Sequence, residues 1–443
     1  MSNVMIWPDI YREQGHWLPC VTLAKSLQNA GLTVRFMGIP DTQSIISPYA
    51  SLATYFTTIL ADIYPAGYSS ENTLEPLDQR WKPAHLLPMV GRPASPGVPA
   101  VPGELDAIFT GAGAPSLLVS GYFTALETLL IHWKYGTKFV IVTTFLRHPA
   151  DLPSLLAKTK LLYMQPALAQ AIIDGVVPAA QKGMSIDDFV APLNARPEII
   201  PCSKQFDFTD PDWVHAGNVS YVEPMIVRTA LDSTPAPVDP TENPNSLPPV
   251  QIPSTQRLIF GTSGSQVQDY EFLARQMFLN LIAMMQTQGM QNYFLVLAVG
   301  DKLDAALRVQ FGMDLNPSQG FPPNVAWFPW VSQLDIMKQA DVVFMHGGLA
   351  TIKESIWEQV PIVIIPLGKD QLDNALRVQR SGVGVVSQVQ ELAPLDLRKL
   401  LTTATASTWV RQNLATMQGI FAAAENQSPK PSVTIINAAI AAP

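Results

Sequence analysis

Cysteine, charge and long apolar runs are all scarce in this chain, and each scarcity excludes a class of protein. Two cysteines, Cys20 and Cys202, are too few for a disulfide framework or a thiolate metal site, which favours a reducing compartment. Charged residues make up 14% of the 443 residues, and 28 basic against 36 acidic residues give a net charge of −8, so nucleic acid is an unfavourable partner. No run of 18 consecutive apolar residues occurs, so we predict no transmembrane segment.

The N-terminal residues MSNVMIWPDI lack the basic and apolar regions of a signal peptide, so we expect a cytoplasmic protein. The low charge leaves peripheral contact with a membrane open, although a surface rich in Gln, Ser, Thr and Pro is the favoured explanation. The sequence does not determine the oligomeric state.

Hydrophobic patterning predicts repeated strand-helix-strand units and therefore an α/β protein. The first half is predicted to contain strands at 4–7, 32–37, 117–119 and 139–142, and a helix at 19–30. The second half is predicted to contain strands at 257–260 and 293–299 with a helix at 270–286 between them. Six prolines between residues 83 and 102 predict a long surface loop.

A proline-rich stretch separates the two halves. Residues 231–253 contain seven prolines and no basic residue, which predicts an extended interdomain linker. We therefore predict an N-terminal domain of residues 1–230, a linker of 231–253, a second domain of 254–425 and a C-terminal tail of 426–443.

Residues 345–385 carry groups suited to a sugar nucleotide. The apolar strand ending at Met345 is followed by His346, Gly347 and Gly348, where glycine lets the backbone approach a ligand before a helix begins. Free N–H groups and the helix dipole at such a helix start favour an anion such as a diphosphate.

Side chains on and after that helix complete the predicted donor site. Thr351 and Glu354 lie three residues apart, so they share a helix face, where Thr351 can donate to a phosphate and Glu354 can accept from ribose hydroxyls. After the next strand, Asp370 and Gln371 open another helix and offer acceptors and donors to sugar hydroxyls. Asp370 could instead simply cap its helix.

This segment resembles the donor-binding motif of the family 1 glycosyltransferases, the UDP-glucuronosyltransferase and macrolide glycosyltransferase group. The matching positions are His346, Gly347, Gly348, Thr351, Glu354, Pro361, Pro366, Asp370, Gln371, Asn374, Gly382 and Gly384. The resemblance implies a GT-B fold, in which two Rossmann-like doubly wound α/β domains face a central cleft and the C-terminal helix returns to the first domain.

Other segments resemble the same family. Gly15, His16 and Pro19 are similar to its N-terminal acceptor-side turn, which implies that His16, on the loop after the first strand, is the general base. Trp327 and Trp330 resemble the base-binding loop, with Trp330 in place of the family's glutamine, and either tryptophan could instead be a core aromatic. Ser263, in the first turn of the second domain, is a further donor-binding candidate.

One position departs from the family pattern. The aspartate that would hold the basic histidine is replaced by Gly121, so we expect Glu127 or Asp106 to substitute, an unusually acidic acceptor, or a poor catalyst. Trp17, Tyr64 and Phe123 are aromatic residues that could line an apolar acceptor pocket, although each could be plain core.

The resemblance implies an inverting, metal-independent transfer of a hexose or deoxyhexose from a nucleotide diphosphate sugar to a small lipophilic natural product. UDP is favoured over dTDP, and no cofactor is expected beyond the donor itself. Asp210 and Asp212 form a D-x-D string, but its place before the linker argues against a metal motif. The alternative is a catalytically weak homologue that binds a nucleotide sugar as an accessory or regulatory protein.

Overall fold

The computed structural model divides into two compact units. It describes residues 3–68, 81–92, 99–226, 250, 252–264, 270–311, 322–388 and 392–442. The first unit is Met1–Cys202, Thr209–Val227 and Ala424–Pro443, and the second is Ser203–Phe208 and Arg228–Ala423. Apart from residues 250, 252 and 253, the predicted linker lies outside the described residues.

The first unit is built on a seven-stranded parallel sheet. Its strands are β1 (Asn3–Trp7), β2 (Thr33–Gly38), β3 (Phe56–Thr58), β4 (Leu117–Gly121), β5 (Phe139–Val142), β6 (Glu198–Ile200) and β7 (Val219–Tyr221). They are ordered β3-β2-β1-β4-β5-β6-β7, with every neighbouring pair parallel. Apart from Asn3 and Ser120, the central strands β1, β4 and β5 are apolar and buried, as is usual for a parallel sheet covered by helices on both faces.

Helices of one to four turns connect these strands. They are Gln14–Asn29, Gln43–Ile46, Ala50–Ala53, Leu86–Val90, Asp106–Phe109, Ala125–Tyr135, Pro153–Leu162, Pro166–Val176, Ile186–Val190, Pro192–Ala195 and Pro431–Ala441. Right-handed crossovers of this kind are the ordinary way to join parallel strands.

The second unit has a six-stranded parallel sheet in the order β10-β9-β8-β11-β12-β13. The strands are β8 (Arg257–Thr262), β9 (Tyr293–Ala298), β10 (Val325–Phe328), β11 (Ala340–Met345), β12 (Ile362–Ile364) and β13 (Gly384–Val386). The helices are Glu271–Met285, Asp301–Phe311, Gln333–Met337, Leu349–Trp357, Gln371–Ser381, Pro394–Ala406 and Thr408–Asn426, and the last three residues of the final helix are assigned to the first unit.

Within the described part of the chain, no helix combines the length and apolarity needed to cross a membrane.

Two predicted elements need correction. The first helix begins at Gln14 rather than near Pro19, so His16 lies in its first turn and not on a loop. Pro19 misled the prediction because proline usually marks the start of a helix and here lies inside one. The predicted surface loop at 83–102 contains the helix Leu86–Val90, whose apolar side chains are largely buried; residues 93–98 lie outside the described residues.

The C-terminal segment is held in the first unit by polar contacts as well as apolar ones. Ser432 donates its backbone N–H to the buried Glu223 carboxylate at 3.2 Å, and its hydroxyl donates to the same group. Lys138 Nζ donates to the Ile440 carbonyl at 3.1 Å. Because these groups lie near both ends of the helix Pro431–Ala441, they fix its position along the first unit.

A fully buried ion pair anchors residues 203–208 in the second unit. Arg377 Nε donates to Asp207 Oδ1 at 2.7 Å, and neither side chain is exposed. The Arg377 guanidinium also lies 4.5 Å from the Phe208 ring centroid. Removing one member of such a pair leaves an uncompensated charge in a medium of low polarity.

We therefore expect Arg377→Met to lower the free energy of unfolding by about 3–5 kcal/mol, since it leaves the Asp207 carboxylate buried and unpaired. Chemical denaturation monitored by tryptophan fluorescence measures this loss. Arg380→Met is the matched control, because Arg380 is exposed and lies 5.7 Å from the same ring. Equal stability of the two variants would contradict the assignment.

Candidate active site

The chemistry-bearing loops follow the strands at which the order of each sheet reverses. In the first sheet the reversal lies between β1 and β4, and in the second between β8 and β11. Ligands of open α/β sheets bind beyond the carboxyl ends of the strands at such a point. The loops after these four strands are therefore the candidate site in each unit.

His16 is paired with a carboxylate that the sequence did not single out. Its Nδ1 lies 2.5 Å from Asp9 Oδ2 and 3.3 Å from Glu13 Oε2, and Asp9 is only 2% exposed. Asp9 follows β1 by two residues, and His16 lies in the first turn of the helix Gln14–Asn29. With Nδ1–H donated to Asp9, the Nε2 atom of the ring is the one left to accept a proton.

The backbone of β1 explains why residue 121 is glycine. Trp7 pairs with Ser120, so the next residue, Pro8, comes opposite Gly121. A Cβ atom at 121 would lie 1.6 Å from the Pro8 carbonyl oxygen. The position that carries an aspartate in the family pattern thus has no room for a side chain, and Asp9 brings the carboxylate to His16 from the neighbouring strand.

Glu127 does not replace the missing aspartate. Its carboxylate is fully buried and accepts from Trp81 Nε1 at 2.7 Å, bonds with His85 Nε2 at 3.0 Å and lies 3.2 Å from Lys160 Nζ. Burial alone would raise the pKa of Glu127, but Lys160 and His85 lower it to about 2. Glu127 is therefore an ionised structural carboxylate, because all its nearby partners are donors within the core.

Asp106 does not replace it either. Its carboxylate bonds with Lys134 and accepts from the Tyr135 hydroxyl at 2.7 Å. The expectation that Glu127 or Asp106 supports His16 is therefore wrong, and the buried carboxylate that contacts His16 is that of Asp9. The expectation of an unusually acidic acceptor loses its basis, since it rested on the absence of a carboxylate.

An aromatic cluster lies beside His16. Phe123 stacks on the imidazole with ring centroids 5.2 Å apart and on Phe145 at 5.5 Å. Tyr122 contacts both phenylalanines edge-on at 5.3 and 5.1 Å. Phe123 is 38% exposed, so this cluster presents an apolar surface next to the imidazole.

The other two acceptor candidates are core residues. Trp17 is completely buried, donates its indole N–H to the Tyr11 carbonyl at 2.8 Å and stacks on Phe36. Tyr64 is also completely buried, and its hydroxyl bonds with His85 Nδ1 at 3.0 Å. Neither side chain has surface to offer a ligand, so their prediction as acceptor-binding residues is wrong.

Two glycines make room for His346, the first residue after β11. A Cβ atom at Gly264 would lie 2.5 Å from His346 Cε1, and one at Gly348 would lie 2.7 Å from His346 Nε2. Gly347 has φ +104°, a conformation that side chains disfavour. Burial lowers the pKa of His346 to about 4, despite a hydrogen bond with the Thr262 backbone, so this ring is neutral at physiological pH.

The helix Leu349–Trp357 begins after Gly348 and carries two further candidates on one face. Gln333 Nε2 donates to Thr351 Oγ1 at 3.3 Å and also to the Glu354 carboxylate. Burial raises the pKa of Glu354 to about 7, and the Gln333 hydrogen bond reduces this rise. Because its pKa lies near neutrality, Glu354 can change its ionisation when a ligand binds.

The second candidate loop is organised by Gln371. Its Oε1 accepts from the backbone N–H groups of Leu367 at 2.8 Å and Gly368 at 3.1 Å, which holds the turn between β12 and the next helix. Asp370 directly precedes the helix Gln371–Ser381 but makes no side-chain cap to it. The capping interpretation of Asp370 is therefore not supported.

The remaining donor candidates differ in exposure. Trp327 is 7% exposed, donates its indole N–H to Asp304 Oδ1 at 2.9 Å and packs against Phe311, which favours the core interpretation. Trp330 lies two residues beyond β10 and is partly exposed. Ser263 follows β8 and is completely buried, and its hydroxyl has no hydrogen-bond partner among the residues that the structure describes.

In the described part of the chain, one group of side chains is close enough together to hold a metal ion. Asp9, Glu13 and His16 each offer one ligand atom, and these atoms lie within 4.8 Å of one another. The direct bond between His16 and Asp9 satisfies the two groups without an ion. We therefore interpret this group as a histidine–carboxylate pair.

The second half of the chain matches a known domain family. Residues 259–428 match the glycosyltransferase family 28 C-terminal domain. The uncharacterized UDP-glucosyltransferase YojK of Bacillus subtilis (strain 168) is 31% identical over 107 residues, covering 24% of this chain and 26% of that protein. UDP-glucuronosyltransferase 3A1 of Xenopus laevis is 42% identical over 64 residues, covering 14% of this chain and 12% of that protein. The chain thus aligns with about a quarter or less of these relatives.

Solved structures match nearly the whole chain. The glycotransferase of kitacinnamycin superposes with a TM-score of 0.67 at 18% identity, covering 99% of both chains. The chain has the GT-B fold. The spinosyn rhamnosyltransferase SpnG complexed with thymidine diphosphate also has this fold and superposes with a TM-score of 0.59 at 16% identity, covering 99% of both chains. The predicted fold and the predicted resemblance are confirmed.

Sequence reasoning missed several residues that lie at the candidate site. Asp9 could have been found, because parallel strands β1 and β4 are neighbours and an acidic residue just after β1 reaches the same edge of the sheet as one after β4. Phe145 follows β5 by three residues and could have been found in the same way. Gln333 had no local signal, since its contact with Glu354 joins residues 21 apart.

We expect Gly121→Ala to destabilise the first unit by at least about 1–3 kcal/mol, because the added Cβ would overlap the Pro8 carbonyl and the strands must move apart. Thermal and urea unfolding measure the loss. Gly217→Ala is the control, since an added Cβ there meets no atom within 4 Å. A Gly121→Ala protein as stable as the control would disprove the steric explanation.

Proposed function

We propose that this protein is an inverting, metal-independent glycosyltransferase that moves a hexose or deoxyhexose from a nucleotide diphosphate sugar to a small lipophilic natural product. The His16–Asp9 pair carries this proposal. It supplies a base whose second ring nitrogen can accept a proton from an acceptor hydroxyl. The names of the relatives, UDP-glucosyltransferase and UDP-glucuronosyltransferase, support a UDP donor, and the thymidine diphosphate complex keeps dTDP as the second choice.

The reaction is a single displacement. As His16 removes the hydroxyl proton, the acceptor oxygen attacks the anomeric carbon from the face opposite the diphosphate, and the carbon–oxygen bond to the diphosphate breaks with inversion. Asp9 holds the imidazole in the tautomer that can accept the proton and stabilises the imidazolium that results. The departing diphosphate retains the electron pair and leaves as UDP.

The second unit supplies groups for the donor. The turn at Gly347 and Gly348 and the start of the helix Leu349–Trp357 present backbone N–H groups to the diphosphate, which stabilise the charge that develops there. Thr351 adds a hydroxyl donor, and Glu354 accepts from the ribose. Asp370 and Gln371 bind the sugar hydroxyls. Because the backbone N–H groups and the Thr351 hydroxyl stabilise the leaving diphosphate, no metal ion is needed there. We propose no cofactor beyond the nucleotide sugar itself.

The acceptor binds against the aromatic cluster of Phe123, Phe145 and Tyr122. Stacking of Phe123 on His16 places an apolar surface beside the base. Flat rings of this kind favour lipophilic and aromatic acceptors. The acceptor oxygen then meets His16 Nε2, while the hydrophobic part of the molecule covers the phenylalanine rings.

We expect His16→Ala and Asp9→Asn to lower kcat by about 10²–10⁴-fold with little change in the donor KM, because both act on proton removal in the first unit. Release of UDP from UDP-glucose with a panel of phenolic and alkyl acceptors measures turnover. Calorimetric binding of UDP-glucose is the control and should be unchanged in both variants. Undiminished turnover of Asp9→Asn would remove Asp9 from the mechanism.

The accessory-protein alternative predicts a different result in the same assay. Donor binding without acceptor-dependent release of nucleotide, in the wild type and in His16→Ala alike, would favour a binding protein over an enzyme.

We also expect the affinity for UDP to rise as the pH increases from 6 to 8. Burial raises the pKa of Glu354 to about 7, so ribose hydroxyls that donate to its ionised form bind better above that pH, by up to about tenfold. Calorimetry in two buffers of different ionisation enthalpy detects the proton released on binding. In Glu354→Gln the part of the pH dependence that comes from ionisation of Glu354 should disappear. The pH dependence that remains in this variant comes from ionisation of UDP itself and serves as the baseline. Identical pH profiles would contradict a role for Glu354.

A further inference from the structure

The buried amide of Asn374 joins the two candidate donor loops. Its Nδ2 donates one hydrogen to the Gly347 carbonyl at 3.0 Å and the other to Asp370 Oδ2 at 2.9 Å. Asn374 is completely buried on the helix Gln371–Ser381. One amide nitrogen therefore joins the turn after β11 to the last residue of the loop that follows β12.

The opposite side of the amide is held by the buried ion pair. Arg377 Nη1 donates to Asn374 Oδ1 at 3.3 Å, while Arg377 Nε donates to Asp207. Since Asn374 Oδ1 faces a guanidinium and its Nδ2 faces a carbonyl and a carboxylate, the reversed amide would place oxygen against oxygen and nitrogen against nitrogen. The Asp207–Arg377 pair thus selects one orientation of the amide.

Gly347 gives this contact its importance. Its φ of +104° favours glycine, and a Cβ atom there would lie 3.1 Å from the Gln371 carbonyl oxygen. The turn after β11 therefore has no side chain at this position to hold it in place. The turn is held from outside by Asn374. The same amide holds one oxygen of Asp370, so the two loops keep a constant separation.

We propose that Asn374 is a positioning residue for the donor, which sets the Asp370 carboxylate at a fixed distance from the turn at Gly347, with Arg377 as its orienting partner. This inference rests on the proposed function, in which that turn meets the diphosphate and Asp370 meets the sugar. Asn374 touches neither substrate. Its role is to make the contact with the hexose and the contact with the diphosphate available to one molecule at the same time, which a nucleotide without a hexose does not require.

The test compares binding of UDP-glucose with binding of UDP by calorimetry. In Asn374→Ala we expect affinity for UDP-glucose to fall by about tenfold or more, while affinity for UDP falls by less than about threefold. The reason is that Asp370 loses its position, and UDP lacks the glucose that Asp370 contacts. In turnover, the KM for UDP-glucose should rise in proportion. Gln379→Ala removes an exposed amide from the same helix and should change neither affinity.

A second variant separates positioning from stability. Arg377→Lys keeps a positive charge for Asp207 but loses the planar fork that reaches Asn374, so it should reduce the preference for UDP-glucose over UDP in the same direction with a smaller loss of thermal stability. Asn374→Asp, which brings a second carboxylate beside Asp370, should reduce that preference at least as much as alanine.

The outcomes are distinct. Equal losses of UDP and UDP-glucose affinity in Asn374→Ala, tracking its loss of thermal stability, would overturn the positioning role and leave a structural one. Unchanged selectivity in Asn374→Ala and Arg377→Lys would overturn it as well. A wild-type protein that binds neither UDP-glucose nor dTDP-glucose would instead overturn the proposed function, and this inference with it.

Discussion

The register of parallel pairing between β1 and β4 is the constraint on which the candidate site of the first unit depends. Hydrogen bonding of Trp7 opposite Ser120 brings Pro8 against Gly121 and sends the chain into Asp9 and then into the helix that carries His16. Moving this register by one residue would turn alternate side chains to the other face of the sheet. The position of His16, the Asp9 carboxylate beside it and the lack of space for a side chain at residue 121 are thus consequences of a single ladder of hydrogen bonds.

The same ladder shows how one role can be filled from two places. Neighbouring parallel strands end at the same edge of the sheet, so a carboxylate on either strand reaches the same histidine. Here the backbone at Pro8 occupies the volume that a side chain at Gly121 would need, and the carboxylate beside His16 belongs to Asp9, the residue after Pro8.

The sequence predicted the fold well because hydrophobic periodicity and glycine or proline boundaries are local signals. Strand β5 was predicted at its observed bounds, and the helix after Gly348 began where the glycine pair predicted. The start of the first helix was predicted too late because Pro19 lies inside the helix, where proline is rarely found. The partner of His16 was missed for another reason: it depends on which strands are neighbours, and no pattern within either segment contains that information. Burial was equally hidden, since Trp17 and Tyr64 carry polar atoms that suit a pocket but find their partners inside the core.

Pro19 has a mechanical consequence for the histidine. Because proline has no N–H, the Gly15 carbonyl receives no bond from it, and the helical ladder is interrupted one turn after His16. The turn that bears the imidazole is tied to Glu13 through two backbone bonds, from His16 at 2.9 Å and Trp17 at 3.2 Å, and to the core through the Trp17 ring. The position of the imidazole is therefore set by these two backbone bonds and by the buried Trp17 ring, and not by the helical bond that an ordinary residue at position 19 would donate to Gly15.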